Sequence, residues 1–275
     1  MNSFASILFV LATSVLALPV RGNRIQKFIT GGDPARPAQF PFQVGVQTRK
    51  VSQEGYEYNA WCGGSLISDE WVLTAAHCLY GGISGEIYLG ATDLSRDEPG
   101  RIVINVPKEN LYVYENYIPQ QIRNDIALVK LPQRVQLNEY IQIVNLPRRS
   151  QMAESFIKQI GWISGWGKLG DEKGSTEQLQ YTRRWILPHE YCDYSYGGFY
   201  APLVQVCVDG SHGISACNGD SGGPLTIEED DGTRTLVGAT SYGQVYCEKG
   251  LPSVYTRVTA FLDWIIEKTG IKLRD

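Results

Sequence analysis

Short apolar runs bounded by turn residues recur along most of the chain, and they constrain its fold more than any other feature. Runs of this length with alternating or continuous apolar residues are typical of β-strands joined by tight turns. The 29 glycines and 13 prolines supply the turn residues. Strands are predicted at 42–46, 65–73, 86–89, 102–106, 126–131, 160–163, 178–185, 204–208, 224–227, 235–241 and 253–257. The pattern predicts an all-β protein.

Only the C-terminal end shows a clear helical period. Val258, Phe261, Leu262 and Ile265 stand at positions i, i+3, i+4 and i+7, and Gly270 is placed to end a helix. We therefore expect a C-terminal α-helix at about 258–269 that packs against the body of the protein.

Length and charge narrow the class of protein. A chain of 275 residues suits two compact lobes or one large all-β unit. The 25 basic and 29 acidic residues give a net charge of −4, and no run of basic residues interrupts the sequence. A nucleic acid is therefore not an expected partner.

The N-terminus has the pattern of an export signal. Residues 7–18 form an apolar stretch too short to span a bilayer, and Val15 and Ala17 are placed as the −3 and −1 positions of a cleavage site. We expect residues 1–17 to be a signal peptide and the product to be secreted, extracellular and without membrane attachment.

Six cysteines favour an oxidising compartment, and they allow fifteen disulfide pairings. A zinc site is not expected, because the sequence has no Cys-x-x-Cys motif and no clustered Cys and His residues. No metal ion and no cofactor are predicted.

Three short strings carry the chemistry: AAHC at 75–78, NDIAL at 124–128 and GDSGGP at 219–224. A serine hydroxyl is a poor nucleophile at neutral pH, so it needs a base and a group that orients the base. His77, Asp125 and Ser221 can fill these roles. The strings and the chain order His, Asp, Ser resemble the trypsin/chymotrypsin family of secreted serine endopeptidases, from about residue 29 to about residue 271.

This resemblance implies a fold of two six-stranded antiparallel β-barrels with the active site between them and a C-terminal α-helix. The protease domain would cover 29–275, with barrel 1 at about 29–140 and barrel 2 at about 150–257. A monomer that acts on protein or peptide substrates is expected, and protein protease inhibitors are a further class of partner. The non-enzyme alternative is a secreted homologue whose cleft binds protein without turnover; such relatives usually lack a triad residue, and this chain has all three.

The resemblance also assigns roles to residues. His77 is the general base and then the general acid, Asp125 fixes its tautomer, and Ser221 is the nucleophile. The backbone N–H groups of Gly219 and Ser221 would form the oxyanion hole. The implied disulfides are Cys62–Cys78, Cys192–Cys207 and Cys217–Cys247.

The substrate pocket is expected to take large apolar or aromatic side chains. Ser215 stands where trypsin-like members have an aspartate at the pocket floor, and Ser241, Tyr242 and Gly243 match the segment that forms one wall. Ser253 occupies a position that is glycine in many members, and its side chain would narrow the inner pocket. An elastase-like or broad collagenolytic preference therefore remains open.

Activation is expected to need a new N-terminus. The sequence ITGG that begins at Ile29 resembles the start of mature relatives, in which the freed amine pairs with the aspartate that matches Asp220. Most relatives are cut after Arg or Lys, but here Phe28 precedes Ile29. We therefore predict an activation propeptide at 18–28 that a chymotrypsin-like activity removes, with the enzyme itself as one candidate.

Overall fold

A computed structural model describes residues 28–275 of the chain. The predicted signal peptide at 1–17, and all but the last residue of the predicted propeptide at 18–28, lie outside these described residues. In the described part, no helix has the length and apolar character that crossing a membrane requires.

The described residues form two antiparallel β-sheets. The strands are β1 (Asp33–Pro34), β2 (Gln43–Val51), β3 (Glu57–Leu66), β4 (Trp71–Thr74), β5 (Gly82–Leu89), β6 (Ile102–Pro107), β7 (Leu111–Val113), β8 (Ala127–Lys130), β9 (Ile160–Gly165), β10 (Gln180–Leu187), β11 (Gln205–Val208), β12 (Pro224–Glu228), β13 (Arg234–Tyr242) and β14 (Ser253–Arg257). The predicted all-β class is confirmed.

The N-terminal sheet curls into an open barrel, which we call barrel 1. Its strands follow the order β6-β5-β2-β3-β4-β8-β7, and no pairing joins β6 to β7 among the described residues. Alternation along the strands explains the packing. On β5, Ile87 and Leu89 point into the buried interior, whereas Glu86 and Tyr88 point outward.

The C-terminal sheet closes on itself and forms barrel 2. Its ring of six strands runs β9-β10-β11-β14-β13-β12 and returns to β9, and the two-residue strand β1 adds to the outside of β10. The interior holds a compact apolar cluster that includes Ile163, Leu225 and Tyr255. The two-barrel architecture that the sequence predicted is therefore present, with one barrel closed and the other open.

The short strands β1 and β7 were not predicted. The predicted strands match the other observed ones with two main differences. The run predicted at 65–73 is the end of β3, a turn and then β4, because 67–70 leave the extended backbone. The first part of β3 at 57–64 was not predicted, because several exposed polar and aromatic residues there hide the apolar period.

Phe28–Gly31 form a four-residue turn in which Ile29 and Thr30 do not have helical φ/ψ angles. Besides this turn, three α-helices lie in the described part: α1 (Ala76–Leu79), α2 (His189–Tyr196) and α3 (Leu262–Thr269). The C-terminal helix is present as predicted, but its first turn, Val258–Phe261, is a 3₁₀ helix. Gly270 ends it with φ +71°. His189 begins α2.

The three disulfides join the pairs that the family resemblance implied: Cys62–Cys78, Cys192–Cys207 and Cys217–Cys247. Cys192 and Cys207 connect α2 to β11. Cys217 and Cys247 connect the loop before Ser221 to the turn that follows β13. Cys62–Cys78, next to His77, and Cys217–Cys247, before Ser221, therefore hold the two segments that carry candidate site residues.

Candidate active site

A buried carboxylate organises the candidate site. Asp125 is 1% exposed, and its Oδ2 lies 2.8 Å from His77 Nδ1. The backbone N–H of His77 donates to Oδ1 at 2.8 Å, and the Ser241 hydroxyl donates to Oδ2 at 2.6 Å. Three donors thus compensate the burial of one negative charge.

These contacts fix the orientation of the imidazole ring. With the proton on Nδ1 facing Asp125, the neutral ring of His77 keeps the lone pair of Nε2 free to accept a proton. Ser221 makes no hydrogen bond to Nε2 in the described part of the chain. Catalytic hydrogen bonds of this kind are often long in a free enzyme and shorten when substrate binds.

A metal cannot use this cluster. His77 lies close to the sulfur atoms of Cys62 and Cys78, with ligand atoms within 4.8 Å of one another. Both sulfurs are bonded to each other in a disulfide, so neither can act as a thiolate ligand.

Two supporting contacts were not predicted from the sequence. The ammonium of Lys50 donates to the backbone carbonyl of His77 at 2.8 Å. The hydroxyl of Thr256, on barrel 2, donates to the backbone carbonyl of Asp125, on barrel 1, at 2.7 Å. No motif marks either residue, because both contacts depend on which strands the fold brings together.

The backbone around Ser221 sits against barrel 1. The N–H of Gly63 donates to the Ser221 carbonyl at 2.7 Å. Gly222 has φ +75°, and a Cβ atom there would lie 2.1 Å from Thr74 Oγ1. Only glycine permits this approach, so the glycine after Ser221 is a requirement of barrel contact.

Two backbone N–H groups, one of them that of Ser221 itself, have no hydrogen-bond acceptor among the described residues. Gly219 has φ +100°, a conformation that glycine adopts readily. The N–H groups of Gly219 and Ser221 donate to no acceptor among residues 28–275. Two adjacent unpaired N–H groups can bind an oxygen that carries negative charge.

Asp220 is a second buried carboxylate, and it has no cationic partner in the described part. It accepts hydrogen bonds from the N–H groups of Gly167 and Cys217, at 2.8 and 2.9 Å. Burial raises its pKa to about 6, and the two backbone hydrogen bonds oppose that increase. The fold thus keeps a carboxylate where the negative charge is unfavourable.

The predicted mature start lies in the same region. Ile29 is fully buried within the apolar cluster of barrel 2, which also contains Ala216. The carbonyl of Thr30 accepts a hydrogen bond from the N–H of Ser215 at 3.2 Å. The segment from Ile29 therefore passes beside the loop that leads to Asp220.

A depression of about 280 Å³ opens next to Ser221. It is lined by Ala216, Cys217, Asn218, Ser221, Thr240, Ser241, Tyr242, Gly243, Gln244, Val245, Cys247 and Ser253. None of these residues is charged. A Cβ atom on Gly243 would meet only the Cβ of Ser253, at 3.8 Å, so this wall has no bulky side chain.

Four of the five residues predicted to form the substrate pocket line the depression, and one does not. Ser241, Tyr242, Gly243 and Ser253 line the depression, as listed above, but Ser215 does not. Ser215 is 4% exposed, and its hydroxyl donates to the Cys247 carbonyl at 3.0 Å.

Tyr242 is fixed by its surroundings. Its hydroxyl lies 3.3 Å from both the Phe199 carbonyl and Gln205 Oε1. Its ring meets Tyr196 edge to face, with centroids 5.3 Å apart. Burial raises the pKa of the Tyr242 hydroxyl, which therefore stays protonated at neutral pH. This wall of the depression is apolar and rigid.

A reciprocal pair of hydrogen bonds holds the part of the wall that Cys247 forms. The Asp171 carboxylate accepts from the N–H of Cys247 at 2.6 Å, and the Glu248 carboxylate accepts from the N–H of Asp171 at 2.8 Å. We call this pair the loop clasp, because it joins the loop after β9 to the loop after β13. No sequence motif indicates this contact.

Comparisons with known proteins agree with this geometry. A protein-family model described as Trypsin matches residues 29–265. Chymotrypsin-C of Bos taurus is 32% identical over 267 residues, covering 94% of this chain and 96% of that protein. Chymotrypsin-like elastase family member 3A of Homo sapiens is 34% identical over 244 residues, covering 87% of this chain and 88% of its own length. The solved structure of HL collagenase is similar with a TM-score of 0.77 and 34% identity, covering 88% of this chain and 99% of its own.

Proposed function

Because the chain belongs to the trypsin family of serine proteases, we propose that it is an endopeptidase whose catalytic residues are His77, Asp125 and Ser221. The observation that carries this proposal is the buried Asp125 carboxylate, which accepts from both His77 and Ser241. That arrangement leaves His77 Nε2 as the ring nitrogen available to act as the base.

In the acylation step, Ser221 Oγ attacks the carbonyl carbon of the scissile bond while its proton passes to His77 Nε2. The carbonyl oxygen becomes negative and takes the unpaired N–H groups of Gly219 and Ser221 as donors. His77 then gives the proton to the departing amine, the C–N bond breaks, and the acyl group remains on Ser221 as an ester.

In deacylation, a water molecule takes the place of Ser221 as the nucleophile. His77 takes a proton from a water molecule, the resulting hydroxide attacks the ester, and the proton returns to Ser221 Oγ as the acid leaves. Asp125 keeps its charge throughout and stabilises the imidazolium in each step. Losing one oxyanion donor typically costs about 2.7–4 kcal/mol of transition-state stabilisation in this chemistry.

The uncharged depression beside Ser221 supports a chymotrypsin-like preference. An Arg or Lys side chain would be desolvated there without a partner, at a cost of several kcal/mol. An aromatic side chain that buries about 150–250 Å² would gain several kcal/mol at about 25 cal/mol per Å². The presence of Ser253 in the lining favours a second candidate, a preference for leucine-sized side chains or a broad range, because its side chain takes up space that a glycine would leave free.

Activation by cleavage after Phe28 explains why Asp220 is buried without a cation. The new ammonium of Ile29 would supply the missing positive charge next to the carboxylate, and the pair would hold Gly219 in its oxyanion-binding conformation. The burial of Ile29 and the contact between Thr30 and Ser215 support this proposal.

The proposal is tested by labelling the processed protein with a fluorophosphonate, a reagent for activated serines. Labelling and peptide hydrolysis are expected for the wild type, and both should fall below a hundredth of that level in Ser221→Ala. A processed, folded wild type that neither labels nor cleaves would show that the protein is a non-catalytic homologue. A peptide-library cleavage profile then separates aromatic, leucine-sized and broad preferences.

A further inference from the structure

Two depressions form one continuous groove that begins beside the oxyanion donor Gly219. The first lies between barrel 1 and the loop after β9, and the second lies on the outer face of barrel 1. The first, of about 380 Å³, is lined by Gln47, Trp61, Tyr88, Leu94, Trp166, Ser175, Thr176, Glu177 and Gly219. The second, of about 450 Å³, is lined by Gln47, Arg49, Asn59, Ser84, Gly85, Glu86, Asn105, Val106 and Pro107. Gln47 lines both, so the two depressions meet at this residue.

Strand register places the groove along a single row of side chains. Gln47 on β2 is directly opposite Trp61 on β3 and Glu86 on β5, and Glu86 is directly opposite Asn105 on β6. Residues opposite one another in an antiparallel sheet point to the same face. Four adjacent strands about 4.8 Å apart give the row a length of about 14 Å.

The far part of this row offers unused hydrogen-bonding groups. The side-chain amides of Gln47, Asn59 and Asn105 make no hydrogen bond within the part of the chain that the structure describes. Glu86 accepts one from the Tyr88 hydroxyl at 2.9 Å. An amide side chain presents one acceptor and two donors, which match the carbonyl and N–H groups of an extended polypeptide backbone.

The position of the groove identifies the part of a substrate that could reach it. The depression that takes the side chain before the scissile bond lies on the Asn218 and Ser241 side of Ser221. The groove starts at Gly219 and leads away across barrel 1. The chain that follows the scissile bond must leave in this second direction, because the first is occupied by the acyl part.

We propose that the row Gln47–Glu86–Asn105 binds the leaving-group segment of an extended polypeptide substrate, a proposal that rests on the endopeptidase function. From Gln47 to Asn105 the row crosses two strand spacings, about 10 Å, which at about 3.3 Å per residue holds about three residues beyond those beside Gly219. Recognition is through the substrate backbone, so it is tolerant of sequence and requires an unfolded segment.

The experiment uses peptides with one acyl-side sequence and leaving-group segments of one, three or six residues. The value of kcat/KM for the wild type should be about tenfold higher with six residues than with three, the equivalent of about 1.4 kcal/mol. The double variant Gln47→Ala/Asn105→Ala should reduce this ratio to less than about threefold. Its kcat/KM for the one-residue substrate should stay within twofold of the wild type.

Gln133→Ala is the matched control, because Gln133 is an exposed amide that lies outside both depressions. It should keep the tenfold ratio, and unchanged thermal unfolding midpoints would show that all variants fold. Equal kcat/KM for the three- and six-residue substrates, or a full ratio in the double variant, overturns the proposal. Failure of the processed wild type to cleave any of the three substrates overturns the endopeptidase function, and the groove with it.

Discussion

Asp220 links the pH dependence of stability to processing. In the uncleaved chain its folded pKa of about 6 lies above the ordinary aspartate pKa of 3.8, so between these pH values the folded state binds more protons than the unfolded state. Stability therefore falls as pH rises from about 4 to about 6. The full loss, about 3 kcal/mol for a shift of about two units, is present above pH 6.

The effect of Asp220→Asn on the free energy of unfolding should therefore change sign when the chain is processed. In an inactive Ser221→Ala background, the uncleaved Asn variant should be about 1–2 kcal/mol more stable than its parent at pH 8 and no more stable at pH 4. After cleavage at Ile29, the same substitution should destabilise by about 3–5 kcal/mol, because it leaves a buried ammonium unpaired. Urea unfolding of both forms measures this. The same sign before and after cleavage would contradict the pairing of Ile29 with Asp220.

Ser215→Asp should weaken the preference for uncharged side chains. The wild type is expected to cleave after Phe at least about a thousandfold better than after Arg, from the cost of an unpaired buried cation. The new carboxylate cannot keep the hydroxyl's contact with the Cys247 carbonyl, so it should turn toward the pocket. The ratio of kcat/KM for matched Phe and Arg peptides should narrow by tenfold or more without inverting. Preferential cleavage after Arg by the wild type would falsify the pocket interpretation.

Sequence motifs were informative at this scale for residues in dense strings. The strings around His77 and Asp125 pointed to two side chains that the fold brings within 2.8 Å of each other. Thr256 could not be found in this way, because its role is a contact between strands about 130 positions apart in the chain. Long-range hydrogen bonds leave no local pattern.

At the scale of loops and strands, the loop clasp is the element with the clearest measurable effect. Asp171→Ala should remove the acceptor for the Cys247 N–H and loosen one wall of the substrate pocket. We expect a loss of about 1–2 kcal/mol in stability and of about tenfold in kcat/KM for aromatic peptides.

The matched control for the clasp is Glu172→Ala, because Glu172 is the exposed neighbour of Asp171. This variant should behave as the wild type in both thermal unfolding and peptide cleavage. An Asp171→Ala enzyme with unchanged kcat/KM would show that the clasp stabilises the loops without positioning the pocket.

Strand and helix predictions failed where packing, not periodicity, decides the structure. Helix α2 buries only Cys192, so its residues show little apolar period. The Cys192–Cys207 disulfide ties it to barrel 2 instead. The start of β3 is an exposed extension of the β2–β3 hairpin, and its partner strand, which pairs Glu57 with Val51, specifies it.

At the scale of the whole molecule, processing should yield an active form that begins at Ile29. Cleavage after Arg24 would leave four extra residues, an overhang of about 13 Å, and cleavage after Lys27 would leave Phe28 before the buried Ile29. N-terminal sequencing of the active enzyme measures this directly. Phe28→Glu should slow processing by a chymotrypsin-like activity, whereas an active form that begins at Ile25 or Phe28 contradicts the prediction.

The contact between Gly63 and the Ser221 carbonyl has a further consequence for how the protein loses activity. The proposed acid–base pair, His77 and Asp125, belongs to barrel 1 and the proposed nucleophile, Ser221, to barrel 2, so the distance between them is set by how the two barrels are aligned. A displacement of about 1 Å between reacting groups can cost about a hundredfold in rate. A small displacement between two intact barrels is therefore enough to abolish activity. On gradual heating or in dilute denaturant, turnover should disappear while both barrels still retain their buried cores.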